Sequence, residues 1–246
     1  MEINPMVLTS ITTSFLTSLA AKGITGPAET LNDIWKATLG YPVHFWAEKR
    51  KLKYEADLKK FETELTNKIL EIPKEQIQEP KISILGPALE ASKYYFEEDE
   101  IREMFSNLIA SSMDKTYNDI IQHSFVEIIK QLSPYDAKFL SKIENCIQTY
   151  DLKRENTIFQ RIFCITPDFL NFEKNSIAIT NLNRLGLLDQ LSYFELNDFP
   201  QKEFINNNIS SIIDLKEKTD FSMQPHAYVL SPLGIEFKKI CIKNSL

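Results

Sequence analysis

Apolar positions recur with a helical period over roughly the first 150 residues of this chain and lose that period afterwards. Leu31, Ile34, Trp35 and Leu39 share one helix face, and Ile101, Met104, Phe105, Leu108 and Ile109 repeat at i, i+3, i+4, i+7 and i+8. Between these two sets the spacing predicts a long helix over residues 43–70. Phe45, Leu52, Phe61, Leu65 and Ile69 form its inner side, and the charged run EKRKLKYEADLKK stays in water. Phe125, Val126, Ile128, Ile129 and Leu132 predict a short helix apolar around most of its circumference, hence buried. The next helix is expected to pack through Phe139, Leu140, Ile143, Cys146 and Ile147.

Helix punctuation sharpens these limits. Gly26-Pro27-Ala28-Glu29 suits a helix start, with proline at the first helical position and a carboxylate facing unpaired amides. Gly40-Tyr41-Pro42 ends that helix, and Ile72-Pro73 and Glu79-Pro80 bracket a connector. Gly86-Pro87-Ala88-Leu89-Glu90 repeats the first signal and predicts the start of the central region. Ser133-Pro134-Tyr135-Asp136 reads as a shortened capping box, in which serine and aspartate each satisfy a backbone amide of the other. Glu97, Glu98, Asp99 and Glu100 open another helix. Carboxylates there are favoured by the positive end of the helix dipole, so capping explains the cluster better than a metal site.

Beyond Asp151 short helices alternate with strand-like pieces. Ser176 to Leu185 predicts a helix closed by Gly186, and Ala227-Tyr228-Val229-Leu230 predicts a strand. Ser231-Pro232-Leu233-Gly234 then caps a last helix through Phe237, Ile240 and Cys241. The expected fold is mainly α, a multi-helix N-terminal and central body followed by a small α+β C-terminal domain. The division expected is 1–26, an uncharged N-terminal segment, then 27–150, helical, then 151–246.

Composition narrows the function classes. With 246 residues the chain needs neither disulfides nor metals to hold a core. A net charge of -6 opposes general attraction to nucleic acid or anionic lipid. Cys146, Cys164 and Cys241 are odd in number, far apart and set in apolar runs, which predicts reduced core thiols in a cytoplasmic protein. Ile3 to Ala21 is uncharged but rich in Thr and Ser, with no basic flank. It makes a poor signal peptide and is too polar for a convincing span, so a packed helix is the plainer reading and insertion on activation the sharper one.

Candidate chemistry is sparse. His44, His123 and His226 form no metal-binding spacing, and no phosphate-cradling glycine loop or nucleophile elbow is present. We therefore expect no catalytic residue, no metal, no cofactor and no small-molecule substrate. Trp35, Tyr41, Phe45 and Trp46 are candidate contacts for a partner or a membrane, although the same spacing suits the inner face of a helical hairpin. Asn107, on the flank of its helix, is a candidate for an interhelical hydrogen bond, and with His123 for an exposed face.

The runs ALEASKYYFEEDEIREMFSNLIASSMD and HSFVEIIKQLSPYDAKFL resemble the Abi-alpha (abortive infection alpha) family of bacterial proteins. The matching positions are Asn107, Leu108, Ile109, Ala110, Ser111 and Asp114, then His123, Ser124, Phe125, Ile129, Leu132, Ser133, Asp136 and Ala137. The match is good over residues 24–150 and weaker beyond. It implies a role in defence against phage and carries over no catalytic residue. The order helix, NLNRLGLL, wing, YVLSPLGIEF is similar to the back half of a winged-helix domain. DNA binding needs a cationic face on the helix before the wing, and Ser176 to Gly186 offers only Arg184. From Asp151 onward 11 Lys and Arg face 12 Asp and Glu, which suits protein interaction or homodimerisation better. Expected partners are thus a phage or host protein. The alternatives are a membrane-active effector using the N-terminal and Trp-rich helices and, behind it, a DNA-binding regulator.

Overall fold

The structure, a computed structural model, describes residues 16–39, 48–144, 146–154, 157–164, 172–191 and 221–242. Tyr41, Phe45, Trp46, the break at Gly40, residues 3–15 and most of the expected wing lie outside the described residues. The protein is mainly helical with a small antiparallel sheet toward its C-terminal end. It divides into two compact units, residues 1–137 with 236–246 and residues 138–235. The sequence suggests divisions after residues 26 and 150; in the structure the chain leaves the first unit after Ala137 and returns to it at Glu236, within its last helix.

In the first unit residues 16–21 are helical and stop at Gly23, whose φ of 76 suits a residue without a side chain. Ile24 N–H donates to Leu19 O and Gly23 N–H to Ala20 O, which folds Leu19 and Ile24 together in the core. Helix α1 (Gly26–Leu39) follows, its first carbonyl acceptor being Thr25, and α2 (Glu48–Glu71) is the next described helix. Trp35 stacks on Phe61 at 5.6 Å between ring centroids, so the apolar faces of the two helices meet as their spacing predicts.

Helix α3 (Ile82–Ser92) corrects the expected start at Gly86. Lys81 O accepts from both Ile84 and Leu85 N–H at 2.9 Å, which closes the first turn four residues early and leaves Pro87 inside the helix. A proline there removes only one amide. Its missing donor would have met Ser83 O, and Ser83 is exposed, within reach of water. Helix α4 (Asp99–Ser112) is the most buried element, with every residue from Met104 to Ser112 inside. The segments before α3 and after α4 are laced together: Ile77 bridges Asp114, and the Gln78 and Asn118 amides pair reciprocally at 2.6 and 2.8 Å.

Helix α5 (Ser124–Ile129) buries Phe125, Val126, Ile128 and Ile129. Helix α6 (Pro134–Ser141) opens on the expected capping box, with Asp136 N–H donating to Ser133 Oγ at 3.1 Å and Ser133 N–H to Asp136 Oδ2 at 2.9 Å. Replacing Ser133 by alanine is expected to cost about 1 kcal/mol, read as a shift of the urea midpoint with unchanged slope. Cys146 and Ile147 correct the sequence reading. They lie not in α6 but in β1 (Cys146–Arg154), because pairing with a distant strand outweighs their continuation of the helical period.

The second unit contains a sheet of order β2-β1-β4-β3, all neighbours antiparallel, with β2 (Thr157–Cys164), β3 (Leu188–Leu191) and β4 (Phe221–Leu230). The strand expected at Ala227 to Leu230 is the final part of β4. Pro225 sits opposite Tyr150, beyond the Leu191–Ala227 pair, so its missing N–H takes no bond from the described β3–β4 ladder. Helix α7 (Phe172–Arg184) ends as predicted at Gly186, φ 73. Leu187 N–H donates to Leu182 O and Gly186 N–H to Asn183 O, the paired bonds of a glycine-terminated helix. Helix α8 (Pro232–Cys241) begins with Ser231 Oγ accepting from Gly234 N–H at 2.9 Å, also as expected.

Candidate functional site

Most residues that carry the family resemblance do structural work, and several converge on the end of α8. A helix leaves its last carbonyls without intrahelical donors. Here two polar side chains of α4 supply them: Asn107 Nδ2 donates to Cys241 O at 2.9 Å and Ser111 Oγ to Ile240 O at 3.5 Å. Asn107 is 1% exposed and its Oδ1 has no partner, while Ser111 is fully buried. Phe125 of α5 meets Phe237 of α8 edge to face, centroids 5.3 Å apart. Asp114 caps the turn that follows α4 by accepting from Thr116 N–H at 2.9 Å. Ser133 and Asp136 form the box at α6 described above.

Of the residues singled out from sequence, Trp35 is 3% exposed and Asn107 is buried, so neither presents a surface. The interhelical hydrogen bond expected of Asn107 is present, although its partner is a backbone carbonyl of α8 rather than a side chain. His123 is exposed at the start of α5, and its Nε2 lies 2.9 Å from Ser83 Oγ. The structure does not bring these three together in one site. Tyr41, Phe45 and Trp46 lie outside the described residues.

The acidic run before α4 is engaged with α2. Lys53 pairs with Glu97 at 2.8 Å, Lys60 with Asp99 at 2.6 Å and Lys68 with Glu103 at 3.4 Å, numbers rising together, so the two helices run in the same direction. Hydrogen bonds from Lys60 and then Arg102 pull the Asp99 carboxyl down to about 2. Arg102 was not legible as a special residue. Its only signal is a cation beside Ile101 in an otherwise apolar stripe, yet it is buried and donates to Glu64, Asp99 and Phe96 O.

Burial pushes the Cys241 thiol well above its ordinary range, which makes it a poor nucleophile at neutral pH. Cys146, expected in the core, is instead exposed at the start of β1, where partial desolvation still raises its thiol. Among the described residues no group of three His, Cys, Asp or Glu side chains is placed to hold a metal ion. No described helix is long and apolar enough to cross a membrane.

The sequence model for abortive infection alpha matches residues 53–241. The chain belongs to the abortive infection alpha family. No curated protein and no solved structure matches it. The match starts later than the resemblance read from sequence and runs through the second unit to the last residue of α8. Membership in the abortive infection alpha family therefore extends over the sheet as well as the helices, and takes in both ends of the Asn107 to Cys241 contact.

Proposed function

We propose that this protein serves bacterial defence against phage, of the abortive infection type, as a non-catalytic sensor or effector that binds a phage or host protein in the cytoplasm. The observation that carries this reading is the use made of the family-bearing residues. Asn107, Ser111, Asp114, Phe125, Ser133 and Asp136 cap helix ends and fill a core, and none is presented to a substrate. Side chains committed in this way fix a shape, and shape is what recognition of a protein partner requires. A winged-helix-like second unit fits the same reading as an interaction or dimerisation module. DNA binding is the weaker use of it, since Lys174 and Arg184 are the only cations in α7, too few for a phosphate-tracking face.

The uncharged N-terminal segment supports a second reading, an effector that acts on the membrane. The two separate in one experiment. Cells expressing the whole chain or a variant lacking residues 1–15, which leaves the buried Leu19 in place, are challenged with phage while membrane potential and co-purifying proteins are followed. Full protection by the shortened chain, with potential retained and a specific protein captured, is the expected result. Early loss of potential that requires residues 1–15 would sink the interaction reading.

A further inference from the structure

We propose that residues 236–241, the end of α8, form a latch that leaves its seat in the first unit by a local opening, below the free energy of global unfolding. Three observations point to it. The seat is closed by contacts between residues very far apart in sequence: 134 positions separate Asn107 from Cys241 and 129 separate Ser111 from Ile240. No short connection holds the latch against α4, so ordering it is entropically expensive. Second, the polar hold is incomplete. One hydrogen bond is good, the other sits at 3.5 Å, and Asn107 Oδ1 is buried without a partner, a state that costs the closed form and is relieved when water enters. Third, the neighbouring α2–α4 contact is laced by ion pairs along its length, whereas the latch is held to α4 by two hydrogen bonds. Phe237, Ile240 and Cys241 are fully buried, so their apolar side chains keep the latch shut at rest while the poor polar fit sets how readily it opens.

Cys241 reports the opening directly, because its thiol is reachable only with the latch out. In the full chain carrying Cys146→Ser and Cys164→Ser, labelling of Cys241 by an aromatic disulfide reagent is measured across sub-denaturing urea, beside global unfolding followed by far-ultraviolet circular dichroism. The expected result is a labelling rate whose dependence on urea is much shallower than that of global unfolding. Asn107→Ala, which strips Cys241 O of its donor, is expected to raise the rate roughly tenfold, the equilibrium weight of about one hydrogen bond. Should that variant not fold, Ser111→Ala tests the weaker bond with a smaller increase. A labelling rate that follows the global urea dependence in the parent chain overturns the proposal, as does a rate untouched by both substitutions.

Discussion

Replacing Gly234 by alanine is expected to destabilise the protein by about 3 kcal/mol or more, among the largest effects any single methyl can have. A Cβ on Gly234 would stand 2.0 Å from Leu187 O and 2.9 Å from Leu187 C. Those atoms are backbone and cannot swing aside. Leu187 is also pinned: its N–H closes the end of α7 on Leu182 O, and its carbonyl accepts from Ser231 N–H at 3.1 Å. Relief of the clash must therefore break the start of α8, the end of α7, or both. Urea unfolding with purified variant and parent measures the loss, and a midpoint shift equivalent to less than about 1 kcal/mol would show that the close approach is not maintained. Gly86, whose added Cβ meets nothing within 4 Å, is the matched control in a helix and should lose no stability from packing.

The second large effect centres on Arg102. Its side chain is 3% exposed, and it donates to Glu64 Oε1 and Oε2 at 2.9 and 3.0 Å, to Asp99 Oδ1 at 2.5 Å and to Phe96 O at 2.7 Å. Burial alone pushes its pKa down, but the bonds to Glu64 and Asp99 more than reverse this and raise it. The two ways of breaking the pair are unequal. Glu64→Leu leaves a buried cation with only Asp99 as counter-charge, and an uncompensated buried charge costs about 3–5 kcal/mol, toward the lower figure here because Asp99 remains. Arg102→Met leaves carboxylates that water can reach, Asp99 being 68% exposed, and should cost less. The double replacement should cost less than the sum of the two. Equal losses from both single variants would contradict this account.

The same cluster sets an acid limit. Asp99 ionises near 2 in the folded chain against 3.8 as its ordinary value, so its folded pKa is depressed. Stability from that group is complete above about pH 4 and fades as pH falls toward 2. Its exposure keeps the contribution small. Acid titration followed by circular dichroism should show the sag in this window, reduced in Arg102→Met.

Capping signals were the most legible part of the fold because they are local. Ser133 with Asp136, Ser231 with Gly234, and Gly186 each act within three residues of themselves, so sequence alone displays both partners. Gly86-Pro87 misled for a related reason. Proline inside a first turn or one turn further along leaves the same local trace, and only the position of the first accepting carbonyl, Lys81 O, distinguishes them. Strand β1 escaped because its partner is remote: Thr149 lies opposite His226, and a helical period running into Cys146 and Ile147 hid the change. Asn107 showed in the sequence as a hydrogen-bonding candidate but not its partner, Cys241 O, and Arg102 did not show at all. A polar residue in an apolar stripe looks like flank or noise until the carbonyl or carboxylate that answers it is brought across.

The separation of α4 from the end of α8 bears on how the protein is made. Cys241 enters the growing chain 134 residues after Asn107, a delay of about 7–27 s at 5–20 residues per second. Throughout that interval Phe125 lacks Phe237, and Asn107 and Ser111 lack the carbonyls they serve. The first unit thus cannot complete its core while it is being synthesised, despite being nearly all translated first. Chaperone dependence should fall late in translation, and a ribosome stalled before residue 236 should hold a helical body whose apolar face is still open.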